Sequence, residues 1–175
     1  MSPPQEDPGL APWGELARGL AGSFTARARG LLVVEFALAR RDGEVFGALR
    51  TRGLANAQVA RLEAGGLLAV IERDAPARYR MLTDGAETLA AGPAGRSADV
   101  LKITCGDRSY EARMSFLRNS AVARSPTGTQ AARLRGGLAG RHYEAAFDAQ
   151  DAGALPVAIL LLYHTSTLRR RAYLT

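Results

Sequence analysis

The chain has 175 residues, a length typical of one domain, and its 47% hydrophobic and 23% charged residues are ordinary for a soluble globular protein. The net charge is +6, but Lys102 is the one lysine, so arginine carries the positive charge. The nucleotide composition of a genome can by itself enrich its proteins in arginine and alanine, so an excess of these residues is weak evidence for a function. We therefore discount the charge as evidence for nucleic acid and do not expect a nucleic-acid partner.

The amino-terminal segment is acidic and rich in proline, and residues 1–11 are predicted to form a disordered tail. It lacks the basic residues and apolar stretch of a secretory signal. Residues 12–175 are predicted to form a single domain. Cys105 is the one cysteine, which excludes an intramolecular disulfide and fits a reducing compartment, so a cytoplasmic location is expected.

A short helix is predicted at Trp13–Leu20, and a series of strand-like runs separated by turn signals follows it. Asp-Gly pairs between runs, such as Asp42-Gly43, are typical of hairpins. The twelve predicted strands are Ser23–Ala28, Leu31–Arg40, Val45–Arg50, Ala57–Leu62, Leu67–Glu72, Tyr79–Leu82, Glu87–Ala91, Asp99–Cys105, Ser109–Met114, Asn119–Arg124, Gln130–Leu134 and Arg141–Phe147. Their spacing is typical of sandwiches and barrels, and no helical repeat separates them.

The clearest alternation lies in the Asp99–Cys105 run and its neighbour. Leu101, Ile103 and Cys105 fall on one face and Lys102 on the other, as expected for a half-buried strand of an antiparallel hairpin. The pattern predicts that Cys105 is a buried structural thiol rather than a nucleophile.

The longest apolar run is Ala154–Tyr163, and it begins a predicted helix over residues 154–174. Pro156 fits the first turn of this helix, and Asp151 is the predicted N-cap. A membrane-spanning helix needs about 20 mostly apolar residues, roughly twice the length of this run. We therefore expect the helix to be buried inside protein, and we expect no transmembrane span.

A helix that is apolar on every face and follows a dozen strands fits best inside a closed barrel, which also removes exposed sheet edges. The predicted fold class is therefore mainly β: a closed antiparallel β-barrel of about 12 strands around a buried hydrophobic C-terminal α-helix.

This arrangement resembles the tubby C-terminal-like domains, a group that includes the tubby proteins, the plant LURP-one-related proteins and the phospholipid scramblases. The residues that carry the resemblance are Gly140–Ala145 leading into Leu155–Tyr163. Leu117–Ser120 and Tyr79–Leu82 are similar to the small bacterial LURP-one-related members. The resemblance covers residues 22–175, and it implies a barrel of about twelve strands around a C-terminal helix.

The resemblance implies several functions, among them phosphoinositide binding in tubby and proposed lipid translocation in scramblases. No functional residue carries over to a position of this chain. The cysteine-rich palmitoylation segment and the calcium-binding segment of scramblases are absent from the sequence. Scramblase activity is therefore not expected.

Catalytic and cofactor motifs are missing from the sequence. It contains no Walker A, HExxH, CxxC or GxSxG pattern, so neither a cofactor nor enzyme activity is predicted. His142 is predicted to face solvent, while His164 is either a paired polar group of the core or a luminal ligand contact. Two histidines so far apart make a poor metal site, and none is predicted.

The weak candidates for ligand binding are arginines that alternate along strands: Arg78, Arg80, Arg133 and Arg135, together with the cluster Arg169–Arg171. Arginine suits phosphate because it donates two parallel hydrogen bonds. The leading hypothesis is a non-enzymatic barrel that binds anionic lipid, a membrane surface or another phosphate-bearing ligand, or that serves as an interaction module. The alternative for these arginines is a solvated outer face.

Two other functions are consistent with the sequence. Residues 55–90 resemble the recognition helix, wing and closing strand of a winged-helix DNA-binding regulator. A small hydrolase or isomerase with a pocket at the mouth of the barrel is the third possibility.

Overall fold

The structure is a computed structural model that describes residues 7–30, 34–51 and 59–174, without the side chains of 171–174. Its elements are α1 (Ala11–Gly19), β1 (Ser23–Arg29), β2 (Val34–Ala39), β3 (Val45–Thr51), β4 (Val59–Ala64), β5 (Leu67–Ala75), β6 (Arg78–Thr83), β7 (Ala86–Pro93), β8 (Val100–Cys105), β9 (Arg108–Ser115), β10 (Ser120–Arg124), β11 (Gln130–Gly136), β12 (His142–Phe147) and α2 (Ala154–Leu174).

The twelve strands form one closed barrel in which each strand pairs antiparallel with its neighbours in the sequence. β1 pairs with β2 on one side and with β12 on the other, where Phe24 lies opposite Ala145, and this last pairing closes the barrel. The predicted fold class is confirmed. Residues 31–33 and 57–58 of the second and fourth predicted strands lie outside the described residues.

Alternating side chains fill the inside of the barrel, as the sequence pattern predicts. In β8, Leu101, Ile103 and Cys105 are buried while Lys102 and Thr104 are exposed. The same period of two appears in β4, β6 and β12. Because side chains of a strand point to opposite faces in turn, one face of each strand lines the lumen and the other meets solvent.

Helix α2 occupies the lumen. Every residue from Ala154 to Thr167 is buried, although a helix packed on one surface would leave part of its circumference exposed. The helix packs against β10, β11 and β12, and its His164 and Arg170 also reach Tyr79 on β6 and Thr51 on β3. Strands therefore surround it. Within the described residues, no helix is both long and apolar enough to cross a membrane.

The start of α2 differs in detail from the prediction. The helix begins at Ala154, so Pro156 lies in its first turn as expected, but Asp151 lies before the capping position. The Asp151 carboxylate accepts hydrogen bonds from the Gly153 amide at 3.0 Å and the Tyr110 hydroxyl at 2.8 Å. It also forms an ion pair with Arg108 at 3.2 Å. Asp151 thus anchors the loop before the helix to β9.

Helix α1 covers the end of the barrel at which α2 begins, which we call the closed end. Trp13 is fully buried, and its indole nitrogen donates to the Thr83 hydroxyl at 2.9 Å. Leu10 is also buried, although it falls within the tail predicted over residues 1–11; residues 1–6 of that tail lie outside the described residues. The predicted helix at Trp13–Leu20 corresponds to α1.

The winged-helix interpretation is wrong for the described part of residues 55–90. Its recognition helix would cover Val59–Ala64, which is the strand β4, and β5 and β6 follow where the wing was expected. Leu62 and Ala64 point into the barrel, so the apparent helical pattern came from strand residues that alternate across the barrel wall. Residues 55–58 lie outside the described residues.

Burial of α2 leads to a test of the core. Leu160→Asp or Leu161→Asp places an unpaired charge among fully buried side chains, so we expect almost no soluble folded protein. The milder Leu160→Ala should lower the free energy of unfolding by about 2–5 kcal/mol, measured by urea denaturation. Leu68→Asp is the matched control, because Leu68 is 56% exposed and should tolerate a charge. Soluble, cooperatively folding Leu160→Asp protein would contradict the luminal position.

Candidate functional site

A concavity lies on the outside of the barrel wall, across β11, β12 and β1. Its volume is about 470 Å³. Three arginines line it: Arg133 and Arg135 from β11, and Arg41 from the β2–β3 turn. We call this site the arginine groove. Its other lining residues are Ser23, Phe24, Thr25, Glu144, Ala145 and Ala146.

Strand register explains why a groove forms here. Arg133 lies opposite Ala146 on β12, and Ala146 lies opposite Ser23 on β1. Arg41 borders the same row from the far side. With strands about 4.8 Å apart, the two arginine backbones are separated by about 14 Å, and the two small residues between them form a low floor. Both guanidinium groups can therefore reach over a ligand seated on Ala146 and Ser23.

The three arginines of the groove are not neutralised within the described part of the chain. No described carboxylate lies within 4 Å of Arg41, Arg133 or Arg135. Glu144 lies opposite Arg135 in the sheet, but its carboxylate contacts the His142 imidazole, with Oε1 3.9 Å from Nε2. The groove is therefore positive, with one carboxylate, Glu144, between Arg135 and Thr25.

Some of the other outer-face arginines have carboxylate partners. Arg80 contacts Glu72 at 2.7 Å, and this hydrogen bond raises the pKa of Arg80. Arg50 contacts Glu35 at 2.6 Å. Such pairs are typical of a solvated barrel surface and contribute little to stability. Arg27, Arg61 and Arg78 on the outer wall also lack a described carboxylate within 4 Å, so the groove is distinguished by the meeting of three such arginines around one concavity.

The four arginine candidates form two separate pairs. Arg78 and Arg80 lie on β6, whereas Arg133 and Arg135 lie on β11, and four strands separate β6 from β11 around the barrel. The two pairs cannot contact one small ligand. The sequence analysis missed Arg41, which belongs to a turn and joins the groove only when β1 pairs with β12.

The C-terminal arginines are used within the structure. Arg169 donates to the backbone oxygens of Phe116 at 2.9 Å and Leu138 at 2.8 Å. Arg170 turns inward to the Thr51 hydroxyl at 3.3 Å, and burial lowers its pKa. The side chain of Arg171 lies outside the described residues.

The histidines have structural surroundings. His142 is partly exposed on the outside of β12. His164 is fully buried; its Nε2 lies 3.2 Å from the Ala98 backbone oxygen, and its Nδ1 bonds the Tyr79 hydroxyl. Because a carbonyl can only accept, Nε2 carries the proton and Nδ1 accepts from Tyr79. His164 is thus a paired polar group of the core, one of the two predicted roles.

The described residues contain neither a candidate metal centre nor an exposed thiol. They contain no group of three or more histidine, cysteine, aspartate or glutamate side chains placed to hold a metal ion. Cys105 is fully buried, as predicted, and burial, aided by the charge of Asp151, raises the pKa of its thiol to about 12.

Comparison with known proteins gives one structural relative. No family model matches the chain, and no curated protein matches it. An X-ray structure of an Arabidopsis thaliana protein, AT5G01750, superposes with a TM-score of 0.55 over 81% of this chain and 90% of the other, at 12% sequence identity. A likeness at this identity establishes a shared fold and does not transfer a function.

The raised pKa of Cys105 predicts a pH effect on stability. Folding keeps this thiol neutral. Its contribution to the free energy of unfolding is therefore complete below pH 9 and is lost as the pH rises from 9 toward 12. Between pH 8 and 10 the free energy of unfolding should fall by about 1.4 kcal/mol more in the wild type than in Cys105→Ala. Urea denaturation at both pH values measures this difference. Equal pH dependence in the two proteins would argue against an inaccessible thiol.

Proposed function

We propose that this protein is a non-enzymatic barrel that binds a phosphate-bearing anion in the arginine groove. The observation that carries the proposal is the meeting of Arg41, Arg133 and Arg135 around a low floor, with no described carboxylate within 4 Å of any of the three guanidinium groups. The phosphate can belong to a lipid headgroup or to a soluble compound, and the chemistry of recognition is the same for both.

The side chains that line the groove favour an organic phosphate over a simple inorganic anion. Two guanidinium groups from opposite sides can each donate paired hydrogen bonds to phosphate oxygens. Ser23 and Thr25 add hydroxyl groups, and Glu144 adds an acceptor between Arg135 and Thr25. A ligand that carries hydroxyl groups beside its phosphate, as inositol phosphates and glycerophospholipid headgroups do, would use both kinds of group.

We also propose that the chain is a distant member of the tubby-like and LURP-one-related group. The twelve-stranded barrel around a C-terminal helix, the architecture that this group shares, supports this proposal. Phosphoinositide binding in tubby proteins makes an anionic lipid a reasonable first ligand to test. We place the protein in the cytoplasm, where inositol phospholipids and their soluble headgroups are accessible.

Two arms of one experiment separate the ligand sources. Isothermal titration calorimetry with inositol trisphosphate tests a soluble ligand, and sedimentation with vesicles containing phosphatidylinositol bisphosphate tests a lipid. In 50 mM salt, Arg133→Glu with Arg135→Glu should weaken whichever binding is found by about tenfold or more, because charge-assisted hydrogen bonds are lost. Glu144→Gln should strengthen it about threefold by removing the repelling charge.

The control is Arg78→Glu with Arg80→Glu, which reverses the same number of charges on β6. This variant separates recognition by the groove from attraction to the overall positive charge of the chain. Binding lost equally in both double variants would assign it to net charge. Absence of binding to both probes, or unchanged binding after substitution of Arg133 and Arg135, would refute the proposed site.

A further inference from the structure

Barrel topology sorts the loops of this protein between two ends. Because every strand is antiparallel to the next, successive connections alternate between the closed end and the opposite end. The opposite end carries the β7–β8, β9–β10 and β11–β12 loops and the carboxyl end of α2. We call it the exit face. Its principal residues are Arg96, Phe116, Leu117, Arg118, Leu138, Arg141 and Arg169.

Two leucines project from the exit face into solvent. Leu117 is 89% exposed and Leu138 is 88% exposed, which makes them the most exposed large apolar side chains of the described residues. Phe116, beside Leu117, is about half exposed. Single exposed apolar residues are common, but two of them at neighbouring loop tips form a localised feature.

The two loop tips are held in place by the core helix. Arg169 of α2 donates one hydrogen bond to the β9–β10 loop and one to the β11–β12 loop, and its guanidinium lies 5.5 Å from the centre of the Phe116 ring. Asn119 adds a hydrogen bond to the Gly137 backbone oxygen at 2.7 Å. These bonds join both tips to each other and to α2, so the leucines are presented on a fixed base.

Charge differs sharply between the two ends. Among described loop residues, the exit face carries Arg96, Arg118 and Arg141 with one carboxylate, Asp99. The loops of the closed end carry Arg40 and Arg41 against six carboxylates, which are Asp42, Glu44, Asp84, Asp107, Asp148 and Asp151. The molecule therefore has one basic end, which carries Leu117 and Leu138, and one acidic end.

We propose that the exit face docks on an anionic phospholipid bilayer, with Leu117 and Leu138 inserted below the headgroups and the surrounding arginines at the level of the phosphates. Basic residues beside projecting apolar side chains match the charge and polarity of such an interface. A protein partner is less suited, because a specific interface needs about 800 Å² on each side with a packed apolar core. Two projecting loop tips can insert into lipid without such a complementary surface.

Sedimentation with vesicles tests the proposal on the full chain. The wild type should bind phosphatidylcholine vesicles containing 30 mol% phosphatidylserine, and raising the salt from about 50 to 500 mM should weaken this binding. Leu117→Gln with Leu138→Gln should weaken it about tenfold or more. Leu68→Gln is the matched control, because this exposed leucine lies on the barrel wall and its loss should change nothing.

Fluorescence gives a second readout that reports insertion directly. The chain has one tryptophan, and Trp13 is fully buried at the closed end, so vesicles should not change its emission. Leu117→Trp should show a blue shift with phosphatidylserine vesicles and quenching by brominated lipid, whereas Leu68→Trp should show neither. Circular dichroism confirms that each variant is folded before binding is compared.

Several outcomes would overturn the proposal. These are no vesicle binding by the wild type, equal binding to neutral vesicles, or unchanged binding by the Leu117 and Leu138 double variant. Self-association of the wild type that this variant abolishes, without vesicle binding, would reassign the exit face to a contact between copies. The proposal is independent of the arginine groove: loss of vesicle binding in the Arg133 and Arg135 variant alone would favour the groove and refute the exit face.

Discussion

The lumen of the barrel must be filled, and the rest of the structure depends on this requirement. An eight-stranded barrel is about as wide as its own inward side chains can fill, and a barrel of twelve strands is wider. Helix α2 fills that space with apolar residues on every face. The barrel in turn surrounds this helix so that its apolar faces are kept from water, and each of the two elements stabilises the other.

A filled lumen restricts function to the outer wall and the two ends. Near the carboxyl end of α2, His164, Ser166 and Arg170 have partners inside the barrel, whereas the buried hydroxyls of Thr165 and Thr167 have none among the described residues. Helix α2 nevertheless shapes one outer surface, because Arg169 fixes the two loops of the exit face. The core element therefore contributes to the surface through a side chain that leaves the barrel.

The arginine groove and the exit face lie at different heights on the barrel. Ser23 and Arg41 are at the closed end of their strands, while Leu138 follows the other end of β11. From Ala146 in the groove to His142 at the exit end of β12 is about 13 Å of strand, and Arg135 of the groove lies one residue before the exit end of β11. If the exit face rests on a bilayer, the groove opens on the side of the barrel rather than toward that bilayer. The two proposals together describe a barrel that meets lipid at one end and binds a phosphate-bearing anion on its side.

Local patterns determined most of the fold. Period-two alternation, Asp-Gly turns and one all-apolar run are properties of neighbouring residues, so they predict the twelve strands and α2 from the sequence. They did not predict Arg41 in the groove, the inward turn of Arg170 or the pairing of Leu117 with Leu138 at one end. Each of these depends on which distant strands become neighbours when β1 meets β12. Strand order and closure are long-range consequences of packing, and for that reason only the tertiary structure decided where this protein presents its charge and its exposed leucines.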